Sequence, residues 1–72
     1  MYNKDIATMI KIEQFELFKG RTGKTAAEVG QLFKRYGVFD YMDDAYEFLH
    51  IQGALATYED IAAYIRAQSK VS

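Results

Sequence analysis

The stretch T-A-A-E-V-G-Q-L-F-K-R-Y-G, from Thr25 to Gly37, decides the fold class of this chain. Thr25 and Glu28 have the spacing of a capping box, in which the hydroxyl and the carboxylate each satisfy a free backbone N–H group at the start of a helix. The apolar side chains that follow recur at the helical period and therefore share one side. Gly37 closes the stretch, because glycine readily adopts the left-handed turn after a helix. The stretch predicts an amphipathic helix over residues 26–36.

The same signals recur on both sides of this stretch and predict four helices in all. A first helix over residues 4–19 would end at Gly20, and a third over residues 41–52 would follow Asp40 as its N-cap and end before Gly53. T-Y-E-D, from Thr57 to Asp60, resembles a second capping box and predicts a last helix over residues 58–68. The sequence therefore predicts an all-α fold, a compact small bundle of four helices joined by glycine-containing turns, with a frayed tail at 69–72.

The size and composition of the chain indicate one domain with surplus aromatic surface. Residues 1–72 make a single domain, and such a short chain buries only ~60% of its unfolded surface. Six Tyr and five Phe are more aromatic surface than so small a core readily holds, so we expect self-association or a partner. The chain has no cysteine, signal peptide or membrane span, and small secreted domains usually need disulfides, so we expect a cytoplasmic protein.

The first predicted helix is apolar on two sides, which is typical of a helix that is central to a fold or shared with a second molecule. One stripe contains Ile6, Met9, Ile10 and Leu17, whereas Phe15 and Phe18 lie on the far side together with Ile12. Glu13 falls within the first stripe and is the candidate buried polar residue. A buried carboxylate requires a partner. Glu13 is thus interpreted as a structural core contact, with a functional carboxylate as the alternative.

Two short motifs resemble catalytic or binding signatures but lack their context. G-R-T-G-K-T, from Gly20 to Thr25, ends like a phosphate-binding loop, yet the first glycine of that motif would fall on Phe18, and no strand precedes it. E-x-x-H, at Glu47 and His50, has the spacing of a di-iron ligand pair, yet the chain contains one histidine. With no cysteine and no serine outside the tail, the sequence predicts no enzyme, no cofactor and no metal.

The charges are divided unevenly, and this asymmetry suggests a protein partner. Residues 1–36 hold seven Lys/Arg against four Asp/Glu, whereas residues 37–72 hold two against six. Acidic residues on the third predicted helix would steer a basic partner, and aromatic side chains would anchor it. The candidate partner-binding residues are the acidic Asp43, Asp44 and Glu47 and the aromatic Phe15, Phe18, Tyr41 and Tyr46.

DNA binding is the competing interpretation of the same segments. Residues 25–52 have the order helix, glycine turn, helix, but the second helix, which should enter the major groove, carries acids and no Lys or Arg. The candidate phosphate contacts lie elsewhere, at Lys19, Arg21, Lys24, Lys34 and Arg35. We therefore rank nucleic-acid binding behind protein binding.

Three segments carry a family resemblance. They are T-G-K-T-A-A-E-V-G-Q-L-F-K-R-Y-G-V-F-D-Y-M (22–42), Y-E-F-L-H-I-Q-G (46–53) and Y-E-D-I-A-A-Y-I (58–65), and together they resemble the bacterial domain-of-unknown-function family numbered 3791. The chain departs from the family pattern at Ile51, where threonine is common, and at Leu55-Ala56, where β-branched residues are common. Whether the connection 51–56 is a loop or a short strand is thereby left open.

The resemblance implies a short cytosolic bacterial protein, often encoded beside ADP-ribosyltransferase-like toxins, and it supplies no catalytic residues. Together with the residues, it favours a protein-interaction module, and in its sharper form the antitoxin or immunity partner of a toxin. A helix-turn-helix-like regulator, or an antitoxin-repressor that combines both roles, is the alternative. A purely structural, self-associating domain is the second alternative.

Overall fold

Five α-helices make up the part of the chain that the computed structural model describes, residues 2–71, and no strand occurs there. In chain order they are α1 (Lys4–Thr22), α2 (Ala26–Arg35), α3 (Val38–Asp44), α4 (Tyr46–Gln52) and α5 (Ala54–Val71). The all-α prediction is confirmed. The number of helices is wrong by one, because the predicted third helix is divided at Ala45.

α1 begins at a polar cap and continues beyond its predicted end. The side-chain oxygen of Asn3 accepts hydrogen bonds from the backbone N–H groups of Asp5 and Ile6, at 3.0 and 3.1 Å, which satisfies two unpaired donors of the first turn. The helix then passes through Gly20 and ends at Gly23, whose φ of 71° lies in the left-handed region. Of these two glycines, only Gly23 adopts the conformation that closes a helix.

α2 follows the prediction closely. The Thr25 N–H donates to Oε1 of Glu28 at 2.8 Å, and the Glu28 N–H donates to Oγ1 of Thr25 at 3.2 Å, so the capping box is complete. The hydrogen bond from the Thr25 backbone lowers the pKa of the Glu28 carboxyl, because it favours the ionised form. Val29 and Phe33 are buried, as the amphipathic pattern predicts. G-R-T-G-K-T is therefore the end of one helix and the cap of the next.

The predicted third helix starts earlier than expected and is divided. Gly37, with a φ of 64°, leads directly into α3, so Asp40 lies within the first turn and is not the N-cap. Ala45, with φ −97° and ψ 15°, separates α3 from α4. This break changes the register of the second half. Leu49 and Tyr46 are both buried, whereas Phe48 is 62% exposed.

α5 begins four residues before the predicted start. Gly53, with a φ of 90°, separates α4 from α5, so the connection between them is a glycine turn between two helices. Thr57 is not a cap: it is buried within α5, and its hydroxyl donates to the Leu49 carbonyl at 3.3 Å. The predicted frayed tail is helical through Val71, and Ser72 lies outside the described residues.

The core lies between α1 and the remaining helices, with Phe33 near its centre. The ring of Phe33 packs edge to face against Phe18 of α1, with 5.1 Å between centroids, and against Phe39 of α3 at 5.4 Å. Such pairs stabilise a core beyond the area that they bury. The buried core residues are Phe18, Val29, Phe33, Val38, Met42, Leu49 and Ile61.

Candidate functional site

Two of the four predicted aromatic anchors are core residues. Phe18 is 3% exposed and packs against Phe33 and Tyr58, with ring centroids 5.1 and 4.6 Å apart. Tyr46 is 4% exposed and contacts the Tyr2 ring at 5.0 Å. Neither side chain is available to anchor a partner, so the prediction for these two residues is wrong. The side of α1 that carries Phe18 faces the core, and Tyr46 on α4 is covered by the fold.

The other two predicted anchors, Phe15 and Tyr41, are half-buried. Phe15 packs edge to face against Phe33 at 6.0 Å, and Tyr41 stacks on Tyr64 with centroids 4.3 Å apart. Burial raises the pKa of the Tyr41 phenol, and the charge of Asp60 adds to this effect. Both residues hold helices together and present only part of a ring to solvent.

Asp43 joins α3 to α1. Its two carboxylate oxygens lie 2.9 and 3.0 Å from Nζ of Lys11, and the Tyr2 hydroxyl donates to the same carboxylate at 3.1 Å. The hydrogen bond from Lys11 lowers the pKa of Asp43. Asp43 therefore has an internal structural role, and its part in an external contact stays a prediction.

An acidic ridge on α3 and α4 remains from the predicted partner-binding set. We define the ridge as Asp44, Glu47, Phe48 and Ile51; all four are exposed, and Ile51 is 85% exposed. Asp44, Glu47 and Phe48 border one shallow hollow together with Tyr2. Sequence analysis missed Phe48 and Ile51 as surface residues. Nothing in the sequence marks the break at Ala45 that turns Phe48 outward.

A groove lies beside the ridge, between α1 and the junction of α4 with α5. Its lining residues are Ile6, Met9, Ile10 and Glu13 from α1, with Leu49, His50, Gly53, Ala54 and Thr57 on the other side. Glu13 is exposed there, so the prediction that it is buried is wrong. The neighbouring Gln14 is the buried polar residue of α1, and its Nε2 donates to the Ala54 carbonyl at 3.0 Å.

The predicted phosphate contacts are spread over separate surfaces. Arg21 lies over the Tyr58 ring, with 5.0 Å from guanidinium carbon to centroid, and Lys19 pairs with Glu16 at 3.5 Å. Lys24 and Arg35 border one hollow along α2, whereas Lys34 borders another near Gly37. These residues therefore form no single basic groove among the described residues. The helix that would enter DNA, α3, carries Asp40, Asp43 and Asp44.

Residues 2–71 contain no grouping of three or more His, Asp or Glu side chains that is suited to a metal ion. Over the same range, no helix has both the length and the apolar character needed to cross a bilayer.

Comparison with known proteins places most of the chain in one family. A family model described as "Protein of unknown function (DUF3791)" matches residues 9–68. The match spans α2, α3 and α4 completely and most of α1 and α5. No curated protein and no solved structure gives a significant match to the chain.

Proposed function

This chain belongs to the DUF3791 family of proteins of unknown function, and we propose that it acts as a protein-interaction module. The acidic ridge is the observation that carries the proposal. Phe48 and Ile51 are 62% and 85% exposed, and Phe48 borders one hollow with Asp44 and Glu47. Exposed apolar side chains in contact with charged neighbours are typical of a surface that another protein covers.

The ridge suggests the chemistry of its partner. Phe48 and Ile51 are one helical turn apart on α4, so both can enter one apolar pocket. Carboxylates at the edge of such a contact favour a pocket with a basic rim, and they accelerate association with it. The partner of this module is therefore a protein with an apolar pocket bordered by Lys or Arg.

The sharper form of the proposal is that the partner is a toxin and that this chain neutralises it in the bacterial cytoplasm. The family resemblance supports this form, because it implies neighbouring genes for ADP-ribosyltransferase-like toxins. Co-expression tests it directly. The chain should restore growth to cells that express the neighbouring toxin, and a Phe48→Ala/Ile51→Ala variant should restore it less.

The first test of the proposal is affinity capture with matched variants. Tagged wild-type protein should recover one stoichiometric partner, and Phe48→Ala/Ile51→Ala should recover much less of it. Ile12→Ala is the control, because Ile12 is 59% exposed on α1 and lies outside the ridge. Circular dichroism would verify that all three proteins are folded. Equal recovery by the ridge variant and the control would count against the ridge as the contact surface.

The same preparation separates the proposal from its alternatives. Recovery of DNA whose affinity falls steeply between low and physiological salt would support the regulator, because phosphate contacts release counterions. Light scattering that shows a stable oligomer with no other protein bound would support the self-associating domain. A partner retained at moderate salt supports the interaction module, since apolar anchors are little affected by screening.

A further inference from the structure

The groove between α1 and the α4–α5 junction has the form of a receptor site and lies outside the ridge. Its floor and walls are mainly apolar, with Ile6, Met9 and Ile10 on one side and Leu49 on the other. Met9 is 67% exposed on the α1 side of this groove. Methionine is flexible and polarisable, which suits it to a surface that adapts to a bound side chain.

Glu13 is the one carboxylate among the described residues that line the groove, and His50 lies on the opposite side. Glu13 is exposed on its edge, and no Lys or Arg is among the lining residues. Residues 49–57, on one side of the groove, contain no lysine. Residues 6–13, on the other side, contain only Lys11, which is paired with Asp43. A cationic occupant is therefore favoured over an anionic one.

The shape and the charge together select one kind of occupant. Two helical walls with an apolar floor between them accept an amphipathic helix, whose anchors recur every three or four residues. An anionic lipid surface would be repelled by Glu13. Resting on the proposed function as a protein-interaction module, we propose that this groove receives a basic amphipathic helix of the partner protein. Met9 and Ile10 contact its apolar face, and Glu13 pairs with a Lys or Arg at its edge.

The proposal also gives Glu13 a role. In the sequence, Glu13 lies within a stripe of apolar residues. In the structure it is exposed, so it is a surface residue beside the apolar lining of the groove and not a core contact. Glu13 is an exposed carboxylate one helical turn from Met9 and Ile10, which is the arrangement expected at the edge of a protein-binding groove.

A cationic model peptide is the direct probe. Isotope-labelled full-length protein would be titrated with a 14-residue amphipathic helix of Leu and Lys and, separately, with one of Leu and Glu in the same apolar pattern. The Leu/Lys peptide should shift amide resonances near the groove, at Met9, Glu13, His50 and Gly53. The Leu/Glu peptide should bind much more weakly. Equal binding of both peptides, or shifts confined to residues outside the groove, would overturn the inference.

Matched variants on α1 distinguish binding in the groove from non-specific effects of charge or hydrophobicity. Glu13→Gln should weaken Leu/Lys binding about threefold, a typical value for one partly solvated ion pair. Met9→Ala should weaken it about fivefold or more, as expected for a central apolar contact. The controls are Glu16→Gln and Ile12→Ala, exposed residues of the same helix that do not line the groove, and they should change binding by less than about twofold. Equal effects of groove and control variants would refute the assignment.

The native partner distinguishes this inference from the proposed function. If captured partner is lost with Phe48→Ala/Ile51→Ala but is unaffected by Met9→Ala and Glu13→Gln, the groove inference fails and the interaction module stands. If wild-type protein captures no partner and the Leu/Lys peptide does not bind, both fail. Loss of the partner with Met9→Ala or Glu13→Gln, with the controls unchanged, supports the groove.

Discussion

At the scale of single residues, the buried polar groups show how this small core is held together. Gln14 is fully buried, and its Nε2 is bonded to the Ala54 carbonyl, yet its Oε1 has no hydrogen-bond partner among residues 2–71. Thr57 and Gln52 are better satisfied, because the Gln52 amide donates to both the Thr57 hydroxyl and the Asp60 carboxylate. The Gln14 side chain therefore stabilises the contact between α1 and α5 through one hydrogen bond, while its buried Oε1 is an unsatisfied acceptor that destabilises the fold.

Replacement of Gln14 tests which of these two effects dominates. Gln14→Met keeps the volume, and we expect the free energy of unfolding to change by less than about 1 kcal/mol, because the lost hydrogen bond is offset by removal of the unsatisfied oxygen. Gln14→Ala also leaves a cavity and should cost about 2–3 kcal/mol. Urea denaturation measures both values. A methionine variant as unstable as the alanine variant would show that the bond to Ala54 dominates.

The Lys11–Asp43 pair makes stability depend on pH in a defined direction. Asp43→Asn should lower the free energy of unfolding at neutral pH by only about 0.5 kcal/mol, since exposed pairs are weakened by solvent; the two side chains are 28% and 37% exposed. The folded-state pKa of Asp43 is lowered. Its contribution is therefore present above the unfolded pKa of about 3.9 and is lost as the pH falls through the folded value.

The measurement is urea denaturation of wild type and Asp43→Asn at several pH values. The difference between them should be constant from about pH 5 to pH 7 and should disappear well below the unfolded pKa of about 3.9. Asp44→Asn is the control for the loss of one carboxylate, because Asp44 is the exposed neighbour of Asp43 on the ridge. A difference that persists in strong acid would exclude the ion pair as its cause.

At the scale of the helices, the sequence predicts those helix ends that are determined by residues close together in the chain. The Thr25–Glu28 capping box and the amphipathic face of α2 follow directly from the sequence, because both depend on residues three and four apart. The division of α3 from α4 does not follow, because Ala45 is the best helix former and marks no break. Tertiary packing of Tyr46 against Tyr2 accompanies that break. The ridge and the position of Phe48 were therefore not predictable from the helical period.

The two glycines near the end of α1 give opposite predictions. Gly20 is helical, and a Cβ there would meet nothing within 4 Å, so Gly20→Ala should raise the free energy of unfolding by about 0.5–1 kcal/mol. Gly23 has a φ of 71°. Gly23→Ala should therefore lower the free energy of unfolding by about 1 kcal/mol or more, because alanine is strained in the left-handed region.

Chemical denaturation of these two variants, with helix content from circular dichroism, locates the end of α1. Wild-type protein and Gly30→Ala, a second glycine in a helix with free space around it, provide the comparison. A stabilising change at Gly20 requires that this residue remain helical. If Gly20→Ala were destabilising and Gly23→Ala neutral, α1 would end at Gly20 in solution, as the sequence alone predicted.

At the scale of the whole molecule, the acidic and basic residues, which are unevenly divided along the sequence, lie on different surfaces of the fold. Asp44 of α3 and Glu47 of α4 lie on the ridge, and Glu13 of α1 adds a carboxylate to the groove. Arg21 of α1 and Arg35 of α2 border other hollows. Composition alone indicated an acidic face. It could not locate that face, because the faces of α1 and α4 are set by packing between helices that are distant in sequence.

The ridge therefore predicts an effect on association rate that is separate from its effect on affinity. Asp44→Lys/Glu47→Lys should slow association with the captured partner about tenfold at low salt and leave dissociation nearly unchanged, because charges at the edge of a contact act mainly through steering. The effect should vanish at about 1 M salt, where the screening length is about 3 Å. Phe48→Ala should instead accelerate dissociation, as loss of an apolar anchor does.

Surface-immobilised partner and stopped injections of each variant would give both rates. Asp40→Lys is the control: Asp40 is an exposed acid of α3 that borders a different hollow from the ridge, so its reversal tests net charge alone. If Asp40→Lys slowed association as much as a single ridge reversal, the overall charge and not the ridge would steer the partner. If the ridge reversals left the association rate unchanged while Phe48→Ala still accelerated dissociation, Phe48 would remain an anchor and the acidic residues would have no part in recognition.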